Sequence, residues 1–144
     1  MKKINQTTHN KINSSLCGNP LILKEDYSRI ELLTTGEMIV DETGLIHGGF
    51  VFGLADYAAM VCINHPNVVL GAADVKFVKP VKKGDTLIAE AYLEKIEGKK
   101  YLVKVEVKER EDLVFHGIFT CFIPDKHVLK KPRNNRQDNR NTRS

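Results

Sequence analysis

The chain contains one long apolar run, residues 50–63, which reads FVFGLADYAAMVCI and holds a single charged side chain, Asp56. Apolar residues occupy every side of a helix formed by this run, which is typical of a helix surrounded by protein. Gly48 and Gly49 precede the run, and His65-Pro66 follows it. Since proline does not continue a helix, the pattern predicts one central helix that ends near residue 64.

Alternating apolar and polar residues predict strands on both sides of this helix. Glu97-Gly98-Lys99 has the composition of a tight hairpin turn between two of them. A sheet of four or five antiparallel strands buries one apolar helix only by curling around it. We therefore expect an α+β fold, an antiparallel curled sheet around one central helix, with strands at 27–40, 68–81, 86–96, 101–108 and 113–123.

Charge and composition divide the chain into three parts. We expect a polar N-terminal segment at 1–26, one domain at 27–129 and a basic tail at 130–144, with both ends disordered or loosely attached. The tail holds six of the Lys and Arg residues and one Asp, in a chain with a net charge of +4. No aromatic residue is interleaved with these charges to stack on bases, which disfavours nucleic acid as a partner.

Other features exclude whole classes of protein. The longest apolar run is shorter than the roughly 20 residues that a membrane helix requires, and the polar N-terminus offers no stretch that would serve as a signal peptide. We expect a cytoplasmic protein without a membrane partner. The three cysteines lack CxxC spacing, which argues against a disulfide framework and a zinc site. Cys62 and Cys121 are interpreted as small core residues.

Two stretches resemble a known family. IHGGFVFGLAD and the later GAADVKFVKPVKKGDTLIAEA are similar to the signatures of hotdog acyl-CoA thioesterases of the phenylacetyl-CoA and 4-hydroxybenzoyl-CoA thioesterase type. The chain also resembles the acyl-CoA-binding domain of the bacterial fatty-acid biosynthesis repressor and a flagella-coregulated hotdog protein of Campylobacter. The resemblance implies a hotdog fold, a homodimer that often pairs into tetramers, an acyl-CoA substrate or ligand, fatty acid metabolism, and no metal or other cofactor.

The first stretch carries the candidate catalytic residues. Gly49 lies in the first helical turn, where N–H groups lack intrahelical partners and the helix dipole favours negative charge. Such a donor stabilises the oxyanion formed when a thioester is attacked. His47 would orient the loop or hydrogen-bond near the same carbonyl. The family's base or nucleophile falls at Asp56, which implies that this carboxylate activates water or attacks directly to form a mixed anhydride.

Helix geometry separates these residues. Gly49 and Asp56 share a helix face but lie roughly 10 Å apart along the axis, so they cannot both contact one carbonyl. A complete site therefore needs Gly49 from one subunit and Asp56 from another, as in a two-fold dimer.

Further residues are candidates for substrate binding. The pocket around the helix is expected to include Gly48, Phe50, Phe52 and Tyr57, and its depth depends on how the three aromatic residues and Phe77 pack. Hotdog proteins commonly bind CoA phosphates near a strand end and turn, which here holds three lysines. An ordinary solvated turn is an equal alternative for Lys79, Lys82 and Lys83.

Three functions remain open. Hydrolysis of an acyl-CoA thioester is favoured because the repressor's motif has an amide at the position of Asp56. The alternative is a binding module that senses lipid status without catalysis. A dehydratase or structural subunit has less support, because dehydratases of this fold carry a histidine on the helix and residues 48–64 contain none.

Overall fold

The computed structural model describes residues 4–130. They form six strands, one long helix and one single-turn helix. In chain order these elements are α1 (Ser14–Cys17), β1 (Asn19–Lys24), β2 (Tyr27–Leu33), α2 (Gly48–Ile63), β3 (Val69–Phe77), β4 (Thr86–Glu97), β5 (Lys100–Glu109) and β6 (Asp112–Phe122). Two short 3-10 turns occupy Gly36–Met38 and Val128–Lys130.

The strands form a single antiparallel sheet in the order β1-β2-β4-β5-β6-β3. The sheet curls around α2, which packs against every strand. The α+β hotdog fold predicted from the sequence is therefore confirmed. The hairpin predicted at Glu97-Gly98-Lys99 joins β4 to β5, with Gly98 at a φ of 61°, a conformation that glycine adopts without steric cost.

Two strands are shorter than predicted. The strand predicted over 68–81 ends at Phe77, because the Val78 and Lys79 N–H groups both donate to the Val114 carbonyl oxygen and Pro80 has no N–H to extend the ladder.

The first strand, predicted over 27–40 with a break at Thr34-Thr35-Gly36, ends at that break, since β2 stops at Leu33 and a 3-10 turn follows. The Thr34 hydroxyl donates to the carbonyl oxygens of Lys82 and Asp85 at 3.0 and 2.8 Å, which ties the chain to the turn before β4. The loop that follows leads directly to the start of α2.

The N-terminal segment differs from the expectation of a loosely attached end. From residue 4 onward it lies on the domain, and β1 forms an edge strand against β2. Ile4, Ile12 and Leu16 pack against the core. Their burial supplies the favourable free energy that an entirely polar segment would lack. Of the predicted tail at 130–144, all but Lys130 lies outside the described residues.

The core lies between the inner face of the sheet and α2. Its largest fully buried side chains include Ile30, Leu54, Phe115 and Phe119, and Cys62 and Cys121 are buried as predicted. No helix in the described part of the chain is long and apolar enough to cross a membrane.

One face of α2 is left uncovered by the sheet. The residues of the helix that are not buried include Gly49, Phe52, Gly53, Asp56 and Ile63. At 100° per residue these five positions fall within about 100° of one another around the axis. They form what we call the open face of α2.

Candidate active site

The N-terminus of α2 is capped by a histidine. His47 has extended backbone angles, and its Nδ1 atom accepts a hydrogen bond of 2.7 Å from the Gly49 N–H. The N-cap side chain thereby satisfies one of the donors that a helix leaves unpaired in its first turn. The Gly49 N–H, predicted from the sequence as the oxyanion donor, is therefore occupied in this structure.

The preceding residue has the available donor. Among residues 4–130 the Gly48 N–H has no hydrogen-bond acceptor, and it lies at the positive end of the helix dipole. Gly48 borders a cleft of about 200 Å³ whose other walls include Phe77, Lys79 and Val114. A Cβ atom at position 48 would lie 3.2 Å from the Phe77 ring, so the glycine allows close packing here.

Asp56 is half-buried on the open face of α2. Its Oδ1 atom is fully buried and has no hydrogen-bond partner within the described residues. Burial raises the pKa of this carboxyl to about 6, because a low-dielectric environment disfavours the charged form. A carboxylate with a pKa near neutrality is a stronger base than an ordinary aspartate, yet is largely ionised at pH 7.

The raised pKa predicts how Asp56 affects stability. The folded state binds the proton more tightly than the unfolded state, so the stability present below pH 3.8 is lost as pH rises through about 6. The rise in the Asp56 pKa corresponds to at most about 3 kcal/mol in the free energy of unfolding. We expect Asp56→Asn to unfold at a higher temperature than the wild type at pH 8, with the difference shrinking towards pH 4. Thermal unfolding across this pH range measures it; an equal difference at both pH values would contradict the assignment.

Gly48 and Asp56 do not meet within one protomer. Both lie on α2, eight residues apart, which separates them by roughly 12 Å along the axis. The structure thus retains the separation expected from the sequence, and among the described residues the N–H without an acceptor is that of Gly48, whereas that of Gly49 is capped. Neither residue alone forms a site that both polarises a carbonyl and activates water.

The aromatic residues proposed for the substrate pocket have different surroundings. Phe50 is half-buried with its ring edge-on to His47 at 6.1 Å, and Phe52 lies 5.4 Å from the core ring of Phe119. Tyr57 is buried, and its hydroxyl accepts a hydrogen bond from Gln6 at 3.2 Å. Tyr57 therefore contacts the N-terminal segment and does not border the cleft.

Of the three lysines, one borders the cleft and the other two follow it along the chain. Lys79 borders it and forms an exposed ion pair of 3.5 Å with Asp112. Lys82 and Lys83 follow on the turn before β4 and are exposed. Their ammonium groups are accessible to an anion, as a phosphate site requires.

One expected residue and one unexpected residue border this cleft. Phe77, which the sequence indicates as a determinant of pocket depth, is 56% exposed and forms a wall of the cleft beside Gly48. Val114 on β6 forms another wall and was not predicted. Its place at the cleft depends on the pairing of β6 with the end of β3, which no local pattern contains.

Comparison with known proteins places this fold in a family. Residues 43–116 match the thioesterase superfamily. The chain is 50% identical over 119 residues to methylthioribose-1-phosphate isomerase of Aquifex aeolicus, covering 82% of this chain and 26% of that protein. It is 34% identical over 97 residues to the transcription factor FapR of Caldanaerobacter subterraneus, covering 67% and 48% respectively. The chain thus spans about a quarter and about half of these two curated relatives.

Solved structures agree with this placement. An uncharacterised protein from Pyrococcus horikoshii has 51% identity and a TM-score of 0.89, with 90% of this chain and 100% of that chain covered. A sigma28-regulated virulence protein from Campylobacter jejuni has 34% identity and a TM-score of 0.82, with 87% and 88% covered. Together with the match over residues 43–116, these likenesses show that the chain belongs to the thioesterase superfamily.

Proposed function

We propose that the protein hydrolyses an acyl-CoA thioester at a site that two copies of the chain share, with Asp56 as the base and the Gly48 N–H as the oxyanion donor. The observation that carries the proposal is the Asp56 carboxylate, whose Oδ1 atom is buried without a partner on an otherwise apolar helix. Such a group destabilises the fold, and groups of this kind are concentrated at functional sites, where the raised basicity is used.

The chemistry follows from these two groups. The thioester carbonyl oxygen accepts a hydrogen bond from the Gly48 N–H, which stabilises the negative charge that develops as a nucleophile attacks. Asp56 takes a proton from a water molecule while the water oxygen bonds to the carbonyl carbon. The C–S bond then breaks, and the departing CoA sulfur receives that proton, which yields a carboxylic acid and free CoA. Direct attack by Asp56, through a mixed anhydride that water then hydrolyses, remains the alternative.

The open face of α2 supports a dimer. If Gly48 of one copy lies across a two-fold axis from Asp56 of the other, the midpoint of the span falls at Phe52, beside Gly53. Apart from neighbouring residues of its own helix, no described atom lies within 4 Å of a Cβ built at position 53. Nothing in the described part of the protomer therefore requires glycine here, although glycine weakens a helix interior by roughly 1 kcal/mol relative to alanine. If a helix of a second copy packs against α2 at this point, the glycine allows the two helices to approach closely.

The edge strand β3 provides a second surface for the same dimer. It pairs only with β6 in the described sheet, and Gly71, Ala72, Ala73 and Asp74 are exposed along it. An exposed edge has unpaired N–H and C=O groups that a second copy of the strand satisfies.

Gly53 offers a test of this dimer. In an isolated protomer Gly53→Ala is expected to raise stability by roughly 0.5–1 kcal/mol, since the helix gains propensity without a clash. If helices of two copies meet at this residue, we expect Gly53→Leu to weaken the dimer at least about tenfold. Sedimentation velocity over a concentration series measures this; a dimer of unchanged affinity in Gly53→Leu would place the interface elsewhere.

The remaining residues support binding of CoA. Lys79, Lys82 and Lys83 supply positive charge beside the cleft and at the turn beyond it, where the phosphates of CoA are proposed to bind. Phe50 and Phe52, both half-buried at the first turns of α2, are proposed to contact the acyl group.

One observation favours a second function, acyl-CoA binding without hydrolysis: the chain is 34% identical over 97 residues to a transcription factor. A panel of acyl-CoA thioesters, with the released thiol measured by a colorimetric reagent, separates the two functions. Turnover of at least one thioester supports hydrolysis. Tight binding of an acyl-CoA without turnover of any member would support the binding function.

A further inference from the structure

The side chain of His47 and the glycine at position 49 are matched to each other. The His47 Nδ1 atom accepts the Gly49 N–H at 2.7 Å. A Cβ atom at position 49 would lie 2.8 Å from Nδ1 and 2.9 Å from Cε1 of the same ring. Both distances are shorter than those that Cβ atoms adopt in proteins. Only glycine at this position therefore allows the imidazole to lie over the first turn of α2.

This cap is easily displaced. His47 and Gly49 are both exposed, and among residues 4–130 the imidazole makes one hydrogen bond, to Gly49. Its aromatic neighbour is the Phe50 ring, edge-on at 6.1 Å. When the ring turns away, water replaces Gly49 at Nδ1 at small cost, because the group is already at the surface. The core is undisturbed by this movement.

The N–H groups of Gly48 and Gly49 are adjacent donors at the start of the helix. First-turn N–H groups project towards the N-terminal end, where consecutive groups bind one anion together. Gly48 borders the cleft, and Gly49 lies on the open face of α2, where Asp56 of the other copy is proposed to act. An oxygen bound to the Gly48 N–H gains the Gly49 N–H as a second donor once the His47 ring has left.

The charge on the substrate oxygen decides whether this exchange is favourable. A thioester carbonyl oxygen is a neutral acceptor, so replacing the imidazole nitrogen by it gains little. The oxygen of the tetrahedral intermediate is negative, and hydrogen bonds to charged acceptors are roughly twice as strong as neutral ones. The helix dipole strengthens the preference. A hydrogen bond formed only after nucleophilic attack lowers the barrier without tightening the binding of substrate.

We propose that His47 is a displaceable cap, which holds the Gly49 N–H in the free protein and releases it to the negative oxygen of the tetrahedral intermediate. Gly49 is then a second oxyanion donor beside Gly48. His47 is a positioning residue, since it contacts no reacting atom and acts only through Gly49. The inference rests on the proposed function. When the C–S bond breaks and the oxygen loses its charge, the imidazole binds the Gly49 N–H again.

Two ketone analogues of a CoA thioester distinguish the neutral oxygen from the charged one. Acetonyl-CoA has a neutral carbonyl, whereas trifluoroacetonyl-CoA adds water to form a hydrate that ionises readily. In the full chain labelled with ¹⁵N, NMR detects the cap as a scalar coupling between the Gly49 amide nitrogen and His47 Nδ1. We expect this coupling in the free protein and in the acetonyl-CoA complex. We expect its loss in the trifluoroacetonyl-CoA complex.

Two variants release the Gly49 N–H by different routes. His47→Ala removes the acceptor, and Gly49→Ala keeps the amide but adds the Cβ that displaces the ring. Both analogues are expected to bind about threefold to tenfold more tightly to either variant, because a competing hydrogen bond is gone. Calorimetric titration measures this. His47→Asn supplies a preferred N-cap acceptor and is expected to restore the weaker binding. With a thioester substrate, KM falls in both alanine variants while kcat stays nearly constant.

The outcomes separate this inference from the proposed hydrolysis. Persistence of the coupling in the trifluoroacetonyl-CoA complex, or wild-type affinity in Gly49→Ala, would overturn the cap even in a chain that hydrolyses thioesters. Loss of the coupling with that analogue in a chain that hydrolyses no thioester would refute the hydrolysis and support the cap. Failure of the chain to bind either analogue would overturn both.

Discussion

Replacement of Asp56 by asparagine is expected to lower thioester turnover by about 10² or more while acyl-CoA affinity changes little. Asparagine has the size of aspartate and accepts hydrogen bonds, but it does not take a proton from water or attack a carbonyl. The substitution is therefore expected to lower kcat and to leave the affinity for acyl-CoA nearly unchanged. Steady-state kinetics with the best thioester, together with calorimetric titration of a non-hydrolysable acyl-CoA analogue, measures the two effects separately.

A matched variant controls for the loss of one negative charge. Asp125→Asn removes an exposed carboxylate in the segment after β6 and is expected to retain wild-type turnover. If Asp56→Asn hydrolyses thioesters as fast as its parent, Asp56 is not the base, and binding without catalysis becomes the better account.

The second large effect concerns the Gly48 N–H. Gly48→Pro removes this donor and nothing else from the backbone, and we expect kcat to fall by about 10² to 10³, the usual loss for one oxyanion donor. Proline suits this position: it is favoured in the first helical turn. The preceding His47 already has φ −60° and ψ 130°, the extended angles that a residue before proline requires.

Gly48→Ala is the paired variant. Both substitutions bring a Cβ to 3.2 Å from the Phe77 ring, which is 56% exposed and has room to move. Only proline also removes the N–H. We expect the alanine variant to stay within a few-fold of wild type in kcat, measured in the same assay. Equal losses in the two variants would assign the effect to crowding of the cleft and remove the donor role from Gly48.

The sheet and helix were predictable because their signals are local. β5 alternates apolar and polar residues from Val103 onward, and the observed bounds of β4, β5 and β6 differ from the predicted ones by one residue or so. β1 was missed, because its sequence NPLILK begins with a polar residue and a proline and its apolar residues run together. Proline is tolerated there since β1 is at the edge of the sheet, a fact that no local pattern contains.

Some features of the candidate site could likewise be predicted from the sequence, and others could not. A lone carboxylate in an apolar run is visible in the sequence, and the structure places Asp56 on the open face of α2 with one oxygen buried. Which glycine has the available N–H was not visible, because that depends on the side-chain rotamer of His47 and its bond to Gly49. The attachment of the N-terminal segment to α2 was equally hidden, since its hydrogen bonds to Tyr57 and Asn64 join residues more than fifty positions apart.

Mixing two inactive variants tests the shared site most directly. Asp56→Asn retains the Gly48 donor, and Gly48→Pro retains the base. In a dimer whose sites each take one group from either copy, a mixed dimer contains one intact site and one site that lacks both groups. After subunit exchange at equal concentrations, half of the dimers are mixed, so we expect about a quarter of the wild-type activity to return. If the mixture shows only the mean of its two parents, Asp56 and Gly48 do not act across the dimer, and the central claim is wrong.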